Sequence, residues 1–324
     1  MTVAFADIEA AAKRIEPAAV RTPVIESPAL NERMSARVFI KPECLQRSGS
    51  FKFRGAYNRL SRLTAAERQT GVVAWSSGNH AQGVAAAARL LGVSAAIVMP
   101  EDAPRVKTAS TRAYGAEIIP YNRYKESREE IGARLARERN AVLVPSYDDP
   151  DIIAGQGTCG LEFARQAQER GEPLDALLVC CGGGGLIAGT SITFKELSPD
   201  TDVYSVEPDG FDDHARSLKT GRREKNDPNA RSICDALLAP QPGALTFPIN
   251  RETLSGGLVV SDDDVRAAMR YAFSTLKLVV EPGGAVALAA LLARKVQVDG
   301  RRIGIVISGG NVDPEQFSQI LMDD

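Results

Sequence analysis

Short apolar runs alternate with longer amphipathic runs along almost the whole chain. The short runs are rich in Val and Ile and show little polar alternation, which is typical of strands buried on both faces. Ten segments therefore predict strands: Arg37–Ile40, Val72–Trp75, Ala95–Met99, Glu117–Ile119, Val142–Val144, Ala176–Cys180, Val203–Val206, Gly257–Val260, Leu278–Val280 and Ile303–Ile307. Because helical patterns separate them, the chain is predicted to be an α/β protein with mostly parallel sheets.

Local signals mark where several of the predicted helices begin and end. Thr64-Ala-Ala-Glu67 has the spacing of a capping box, and Ser261-Asp-Asp-Asp264 is a similar box with Asp in the last position. Gly92 and Gly115 stand where a helix is expected to stop before the next strand. The segment 219–250 is rich in Arg, Asn, Asp and Pro, and we expect it to be a loop that wraps the surface or covers a site.

Composition and charge exclude several classes of partner. Hydrophobic residues make up 44% and charged residues 25% of the 324 residues, as in ordinary globular proteins, and the net charge is −2. This charge provides no field that would gather nucleic acid, and no apolar run is long enough to span a membrane. We therefore expect a small-molecule partner, with neither nucleic acid nor membrane involved.

The cysteines indicate the compartment. They are odd in number, and no two have the C-x-x-C spacing: Cys44, Cys159, Cys180, Cys181 and Cys234. This argues against a disulfide framework and against a zinc site of the usual spacing. A reducing cytoplasm is the compartment that we expect.

A run of four glycines follows the predicted strand Ala176–Cys180 and opens a predicted helix, Ile187–Leu197. Consecutive glycines let backbone N–H groups approach an anion, and the helix N-terminus favours negative charge. No Lys-Ser or Lys-Thr follows, so this is not a Walker loop, and four glycines exceed what a tight turn needs. Gly182, Gly183, Gly184 and Gly185 therefore predict a phosphate site, for either a nucleotide or a cofactor.

Lys52 stands in an unusual place for a lysine. Ser50 has the character of an N-cap, which would put Lys52 in the first turn of a helix, between Phe51 and Phe53. The positive helix end and an apolar setting both lower the pKa of an amine and make it a better nucleophile. The alternative is a lysine that extends into solvent, which is the commonest arrangement.

Two more strand ends carry hydroxyl and amide groups beside glycine. Ser76-Ser77-Gly78-Asn79-His80 lies between a strand and the predicted helix Ala81–Leu91, and Ser308-Gly309-Gly310-Asn311 follows the last predicted strand. The first segment suits a carboxylate, although a plain N-cap turn would explain either segment alone. Because ligands of parallel sheets bind at the carboxyl ends of strands, these segments are expected to converge on one pocket.

Seven motifs in this order across nearly the whole chain resemble the fold-type II pyridoxal-phosphate family, the tryptophan-synthase-β-like enzymes. The closest resemblance is to the branch of threonine and serine dehydratases and serine racemases. The motifs are SFKFRGA, SSGNHAQG, AGQGT at 154–158, GGGGL, EP at 207–208, EPGGA at 281–285 and SGGN. The resemblance implies two open, twisted, mostly parallel sheets flanked by helices, with pyridoxal 5'-phosphate between them.

The same resemblance implies roles for the residues singled out above. Lys52 would carry the cofactor as a Schiff base, with Phe51 beside it, and would then remove the Cα proton of the substrate. The glycine run would hold the cofactor phosphate. The other implied cofactor contacts are Asn79 to the phenolic oxygen, Ser308 to the pyridine nitrogen and Glu281 near the ring. The substrate carboxylate would lie among Ser76, Ser77, Gly78, Asn79 and His80, with Ser77 as a second acid or base.

Two implied sites are less directly supported by the residues themselves. Glu207, the backbone carbonyl of Phe211 and Asp213 match the spacing of a divalent-cation site in this branch, and oxygen ligands suit Mg²⁺, Mn²⁺ or Ca²⁺. The alternative is that Asp209, Asp212 and Asp213 form a solvated acidic turn. His214 is expected to be a surface residue or to lie just outside the ligand shell, and not to be a ligand. Arg128 matches a substrate-facing arginine, and its alternative is an exposed helix residue between acidic neighbours.

The predicted reaction converts a 3-hydroxy amino acid, L-threonine or L-serine, to the 2-oxo acid plus ammonia by α,β-elimination of water. Three alternatives stay open: a larger substrate such as threo-3-hydroxyaspartate or 3-phenylserine, an amino acid racemase, and a non-catalytic binding protein on the same fold. Phe53 and His80 depart from the pattern of the sulfhydrylase relatives, which argues against cysteine synthesis.

The resemblance also predicts the organisation of the chain. Residues 1–70 and 148–324 would form a large cofactor-binding domain, and 71–147 a small inserted domain whose closure shields the site from water. A homodimer is the expected assembly.

Overall fold

The computed structural model describes residues 3–322, which form two separate parallel sheets. Nine strands occur within these residues: β1 (Arg37–Pro42), β2 (Val72–Trp75), β3 (Ala95–Pro100), β4 (Glu117–Tyr121), β5 (Val142–Leu143), β6 (Ala176–Cys180), β7 (Asp202–Pro208), β8 (Gly256–Val260) and β9 (Arg302–Ile307). One sheet has the order β1-β9-β6-β7-β8 and the other β4-β3-β2-β5, and every ladder between these strands is parallel.

Helices cover the sheets. They are α1 (Phe5–Ile15), α2 (Pro28–Met34), α3 (Lys52–Ser61), α4 (Ala65–Thr70), α5 (Asn79–Leu91), α6 (Arg105–Ala113), α7 (Arg128–Arg139), α8 (Pro150–Glu169), α9 (Gly185–Leu197), α10 (Asp213–Thr220), α11 (Thr246–Thr253), α12 (Asp262–Tyr271), α13 (Pro282–Leu292) and α14 (Pro314–Met322). Within residues 3–322, no helix is both long enough and apolar enough to cross a membrane. The predicted α/β class with parallel sheets is confirmed.

The helix-end signals behave as predicted. Thr64 and Ser261 each form a complete capping box, with Glu67 and Asp264 as the reciprocal partners. Gly92 ends α5 in the left-handed conformation, with a φ of 65°. Segment 219–250 is mostly irregular, although α11 begins inside it.

Nine of the ten predicted strands are present, and Leu278–Val280 is the one that was wrong. A turn of π-helix, Ala272–Leu276, precedes it, and Lys277 reverses the chain with a φ of 61°. The Leu278 N–H then donates to the carbonyl of Ala272 at 3.0 Å, so the segment pairs with no strand among the described residues. Leu278 and Val280 are apolar because they fill the core, where they are 8% and 0% exposed.

The helix that begins at Lys52 packs against α5 and shares a buried cluster with residues of the four-stranded sheet. Phe53, Ala56 and Leu60 of α3 share one buried cluster with Val84 and Ala85 of α5. The strands of this sheet all lie between residues 72 and 143, and the division of the chain into a large and a small domain stays a prediction. Lys52 therefore lies where the two sheet systems meet.

Candidate active site

A cavity lies between the two sheets, at the carboxyl ends of β2, β6 and β9. Its volume is about 980 Å³, including the solvent at its mouth. The segment 235–239, inside the predicted covering loop, forms part of its wall. The predicted strand-end segments do converge: Lys52, Ser76–His80, the glycine run and Ser308 all line this cavity.

Lys52 points its amine into the cavity without a carboxylate partner among the described residues. The Phe51 N–H donates to the Ser308 carbonyl at 3.1 Å, which fixes the chain just before α3. The Lys52 Nζ donates to the carbonyl of Ser146 at 2.8 Å and lies 5.2 Å from the centre of the Phe51 ring. Burial lowers the pKa of Lys52 to about 8. Ser50 does not cap the helix through its hydroxyl, which has no partner.

A buried ionic cluster holds the first turn of α3 in place. Arg54 is 0% exposed and donates through Nε to Glu43 at 2.7 Å and through Nη1 to Glu162 at 2.8 Å. Lys41, also 0% exposed, pairs with Glu162 at 2.8 Å. Because each buried charge has an opposite partner, the cluster is a fully compensated anchor for the backbone that carries Lys52.

The glycine run forms the tight entry into α9. Gly184 has a φ of 93°, and a Cβ there would lie 2.7 Å from His214 Nε2. A Cβ on Gly183 would lie 2.4 Å from the ring of Tyr147, so any side chain would close this part of the cavity. Gly182 to Gly185 line the cavity and open a 13-residue helix, and the N-terminal N–H groups of such a helix favour an anion.

The segment from Ser76 to His80 forms the opposite wall and the first turn of α5. The Asn79 side chain donates to Glu281 and accepts from Asn311 Nδ2 at 2.9 Å, so both ends of its amide are held. His80 Nε2 lies 3.0 Å from the Val144 carbonyl. Burial, followed by the charge of Lys52, lowers the pKa of His80 to about 3, and its ring is neutral at physiological pH.

Glu281 lies behind this wall and is not among the residues that line the cavity, so its predicted place near the cofactor ring stays a prediction. It is 1% exposed, and Lys107 Nζ lies 3.0 Å from its Oε2 and 2.7 Å from Asp235 Oδ2. Burial alone would lower the pKa of Lys107, but these two carboxylates outweigh it and raise the pKa. Gly78 leaves the space for this lysine, since a Cβ there would lie 2.6 Å from Lys107 Cδ.

Ser308 and Ser77 both line the cavity as predicted, on different strand ends. Ser308 is 5% exposed at the end of β9 and lies beside Cys180, the last residue of β6. Burial raises the pKa of Cys180 to about 11, so this cysteine is a protonated wall residue and not a thiolate. Arg128 lines the cavity at its rim, with a side chain that is 38% exposed and bonded to Glu129 at 2.8 Å.

The residues predicted to bind a cation lie outside the cavity, behind the glycine run. Glu207 accepts the backbone N–H groups of His214 at 2.9 Å and Ala215 at 2.7 Å. Burial raises the pKa of Glu207 well above its usual range and that of Asp213 to about 7. His214 is 0% exposed, so its interpretation as a surface residue was wrong. The Phe211 side chain is also buried, at 8% exposed.

Sequence reasoning missed three residues of the site: Lys107, Tyr147 and Asp235. Tyr147 could have been found by the rule that identified Ser76–His80, because it follows β5 at the carboxyl end of its sheet. Lys107 and Asp235 carry no local signal, since the first lies inside α6 and the second in the long irregular segment, and only the tertiary fold brings them together.

These features define a class of enzyme. An amine without a counterion, a side-chain-free helix entry suited to a phosphate, and a hydroxyl at a third strand end enclose one cavity between two parallel sheets. That donor set fits pyridoxal phosphate: Lys52 for its aldehyde, the glycine run for its phosphate and Ser308 for its ring nitrogen.

Comparison with known proteins leads to the same class. The sequence profile of the family described as "Pyridoxal-phosphate dependent enzyme" matches residues 15–309, and the chain belongs to this family. It is 49% identical over 317 residues to L-threo-3-hydroxyaspartate ammonia-lyase of Pseudomonas sp., with 98% of both chains covered, and 41% identical to serine racemase of Schizosaccharomyces pombe, with 98% and 97% covered. The solved maize serine racemase is 38% identical, with a TM-score of 0.92 over 98% of this chain and 97% of that one.

These similarities confirm the predicted family, the fold-type II architecture and the assignment to the pyridoxal-phosphate-dependent lyases. Because the family uses pyridoxal phosphate, a cofactor and not a nucleotide is the expected ligand of the predicted phosphate site. The similarities also weigh against a non-catalytic binding protein, because Lys52 is retained with a lowered pKa at the centre of the cavity.

Proposed function

We propose that this enzyme converts a 3-hydroxy amino acid to a 2-oxo acid and ammonia by α,β-elimination of water followed by hydrolysis, and that its substrate is L-threo-3-hydroxyaspartate. The observation that carries the proposal is the counterion-free Lys52 amine, which faces both the glycine run and the Ser76–His80 wall. An amine with a pKa of about 8 can both form an imine and exchange protons near neutral pH.

Bound pyridoxal phosphate would supply an aldehyde for the substrate amine and a ring that stabilises negative charge at Cα. Lys52 would hold it covalently against Phe51, with its phosphate on the N–H groups of 182–185 and its ring nitrogen at the Ser308 hydroxyl. A hydroxyl donates to a neutral ring nitrogen, which makes the ring a weaker electron sink than a carboxylate partner would. This favours prompt loss of a β-leaving group. Asn79 is held by Glu281 and Asn311 and would direct its remaining amide hydrogen at the ring oxygen.

Different residues of the protein would bind the substrate carboxylate, transfer the Cα proton and exclude water. N–H and hydroxyl groups of Ser76–His80 would bind the substrate α-carboxylate, at the N-terminus of α5. Lys52, released from the cofactor, would take the Cα proton and later help to release the product. Segment 235–239 forms a wall of the cavity, and closure of the predicted small domain against it would exclude water.

The choice of L-threo-3-hydroxyaspartate rests on two further points. Two relatives named L-threo-3-hydroxyaspartate ammonia-lyase are 49% and 43% identical to this protein over 98% of the chain. A second carboxylate on the substrate needs a cation that is not already neutralised. Lys107 is held by two carboxylates, whereas Arg128 at the rim has only its exposed neighbour Glu129. Arg128 would therefore receive the β-carboxylate.

L-threonine and L-serine are the next candidates, since the elimination chemistry is the same and 3-phenylserine would require a larger apolar wall. A racemase needs a proton donor on the second face of Cα. Ser77 would be that group, and similarity to serine racemases supports some racemase activity beside the lyase reaction.

Three further predictions belong to this proposal. A divalent cation, Mg²⁺, Mn²⁺ or Ca²⁺, would bind Glu207, the Phe211 carbonyl and Asp213, which is supported by the burial of two carboxyl groups there. The five cysteines are all free, which supports a reducing cytoplasm. The assembly would be a homodimer, as the resemblance implies.

The test is 2-oxo acid formation by the purified, cofactor-loaded protein with L-threo-3-hydroxyaspartate, L-threonine, L-serine and 3-phenylserine in parallel. We expect L-threo-3-hydroxyaspartate to have the highest kcat/KM and Lys52→Ala to abolish turnover. A higher value for L-threonine or L-serine would replace the proposed substrate but keep the reaction.

A different result would contradict the proposed reaction, and not only the proposed substrate. If no oxo acid forms from any substrate, while Lys52→Ala still removes the visible absorbance of the bound cofactor, the chain is not a dehydratase. Chiral analysis of the recovered amino acids would then test racemisation.

A further inference from the structure

Two buried carboxyl groups, those of Glu207 and Asp213, lie behind the glycine run without a lysine or arginine partner among the described residues. The side chains of Glu207 and Asp213 are 0% and 1% exposed. Among residues 3–322, no lysine or arginine nitrogen lies within 4.0 Å of either carboxylate, and their one basic neighbour is His214. Since buried carboxylates without a cation are costly, the protein by itself does not explain this arrangement.

Two buried polar atoms in the cluster have no hydrogen-bond partner. They are Nδ1 of His214 and Oδ2 of Asp213. The His214 Nδ1 lies 3.8 Å from Asp213 Oδ2 and 3.8 Å from Glu207 Oε1, too far for a hydrogen bond. Two ligand bonds of about 2.1 Å at a tetrahedral angle place their donor atoms about 3.4 Å apart, so each 3.8 Å spacing suits two ligands of one ion.

Asn250 would set the tautomer that a ligand needs. Its amide nitrogen lies 3.0 Å from His214 Nε2, while its Oδ1 is buried and has no partner. Rotating this amide by half a turn would let His214 Nε2–H donate to Oδ1, which satisfies both groups. The lone pair of Nδ1 would then face the two carboxylates, as in metal sites where an outer partner fixes the histidine ring.

We propose that His214 is a nitrogen ligand, through Nδ1, to a divalent cation that it shares with Glu207 and Asp213. The inference rests on the cation included in the proposed function, but it changes the chemistry of that site. An imidazole ligand favours Mn²⁺, Co²⁺ or Zn²⁺ over Mg²⁺ and Ca²⁺, which prefer oxygen alone. The ligand atoms of Cys181, Glu207 and His214 all lie within 4.8 Å of one another, and Asp213 is not part of that set.

The position of the ion would connect it to the cofactor site. Gly184 of the glycine run leaves room for both partners of the histidine–asparagine pair, since a Cβ there would lie 2.7 Å from His214 Nε2 and 2.8 Å from Asn250 Nδ2. A cation that fixes His214 would therefore also fix the backbone that faces the cofactor phosphate.

The decisive measurement is pulsed electron paramagnetic resonance of the cofactor-loaded enzyme, stripped of metal and loaded with Mn²⁺. We expect modulation from a directly bound nitrogen, and a change to the ¹⁵N pattern when the protein is labelled with ¹⁵N-histidine. The chain has only two histidines, and His80 is engaged at the Val144 carbonyl, so the signal is assignable. In His214→Gln the nitrogen signal should disappear, and Mn²⁺ affinity measured by calorimetry should fall about 10- to 100-fold.

Phe247→Leu is the matched control, because Phe247 packs edge-on against the His214 ring at 6.5 Å and offers no donor atom. It should retain the nitrogen signal. Wild-type protein that binds Mn²⁺ without nitrogen modulation would overturn the inference, and so would failure to bind Mn²⁺. A loss of Mn²⁺ affinity in Cys181→Ala, with none in His214→Gln, would also overturn it. None of these readouts depends on turnover, so the substrate assay decides the proposed function separately.

Discussion

Two lysines line the same cavity and are in opposite electrostatic states. Lys107 lies within 3.0 Å of two carboxylates, Asp235 and Glu281, and its pKa is raised. Lys52 donates only to a backbone carbonyl, and burial lowers its pKa to about 8. The same residue type, in the same cavity, is thus a permanent cation in one place and a reactive amine in the other.

The difference shows that the placement of carboxylates, and not burial alone, selects the reactive lysine. Both amines are removed from water, which penalises the charged form. Glu281 and Asp235 offset that penalty for Lys107. They also tie α6, beside the four-stranded sheet, to loops of the five-stranded one. Lys52 lacks such compensation, so its neutral form is accessible near physiological pH.

The largest expected effect is the difference in stability between variants that remove the charge of Lys107 and of Lys52. Lys107→Met leaves Glu281 buried without its cation, and we expect the free energy of unfolding of the cofactor-free protein to fall by about 3 kcal/mol. Lys52→Met removes a charge that has no counterion, so it should leave the stability unchanged or raise it. Urea denaturation of both variants at pH 7, with the wild type beside them, measures the contrast.

Equal losses in the two variants would contradict the comparison, because the methionine side chain replaces a similar stem in each. Arg62→Met shows how much stability is lost when an ordinary surface ion pair is removed. Arg62 bonds Asp151 at 3.0 Å with a side chain 48% exposed, and its loss should cost no more than about 1 kcal/mol.

A smaller effect follows from the pKa of Lys52. With a pKa of about 8 in the cofactor-free protein, about one-tenth of this amine is neutral at pH 7, and nearly all of it is neutral at pH 10. The rate at which added pyridoxal phosphate forms an imine should therefore rise about tenfold from pH 7 and level off above pH 8. Stopped-flow absorbance measures the rate.

The free energy of unfolding should also rise with pH because of Lys52. Because the pKa of Lys52 is lower when the protein is folded than the usual value of about 10.4, folding disfavours the charged form. Its contribution to stability therefore rises from pH 8 to pH 10 and is lost as the pH falls. A rate that rises steadily up to pH 10 without levelling off above pH 8 would mean that Lys52 behaves as an exposed lysine.

The sequence predicted most of this fold because buried parallel strands leave an unmistakable pattern. Val- and Ile-rich runs separated by capped helices located nine strands close to their observed bounds. The failure at Leu278–Val280 has a definite cause. An apolar run of three residues fills the core equally well as a strand or as an irregular segment after a π-turn, and periodicity cannot distinguish them.

Site residues could be predicted where a local sequence pattern marks them, and could not be predicted where only the tertiary fold brings them together. Lys52, the glycine run, Ser76–His80 and Ser308 each stand at a strand end or a helix start, so sequence position alone locates them. The partnership of Lys107 with Glu281 joins residues in different halves of the chain, and no local pattern indicates it. The same is true of the burial of His214, since a turn rich in aspartate is typical of an exposed surface.

The smallest expected effect concerns Arg128, the third cation at the cavity. Its pair with Glu129 is exposed on both sides, with side chains 38% and 56% accessible, so the pair adds little stability. Arg128→Gln should therefore change the free energy of unfolding by no more than about 0.5 kcal/mol.

If Arg128 receives the second carboxylate of the substrate, the KM for L-threo-3-hydroxyaspartate should rise about tenfold, the equivalent of about 1.4 kcal/mol. The KM for L-serine, which lacks that carboxylate, should change less than about twofold. Steady-state kinetics with both substrates on the same variant measures this difference, so that L-serine is the control for L-threo-3-hydroxyaspartate. A parallel rise for both would show that Arg128 supports the cavity wall in general, and an unchanged KM for both would assign the β-carboxylate to another group.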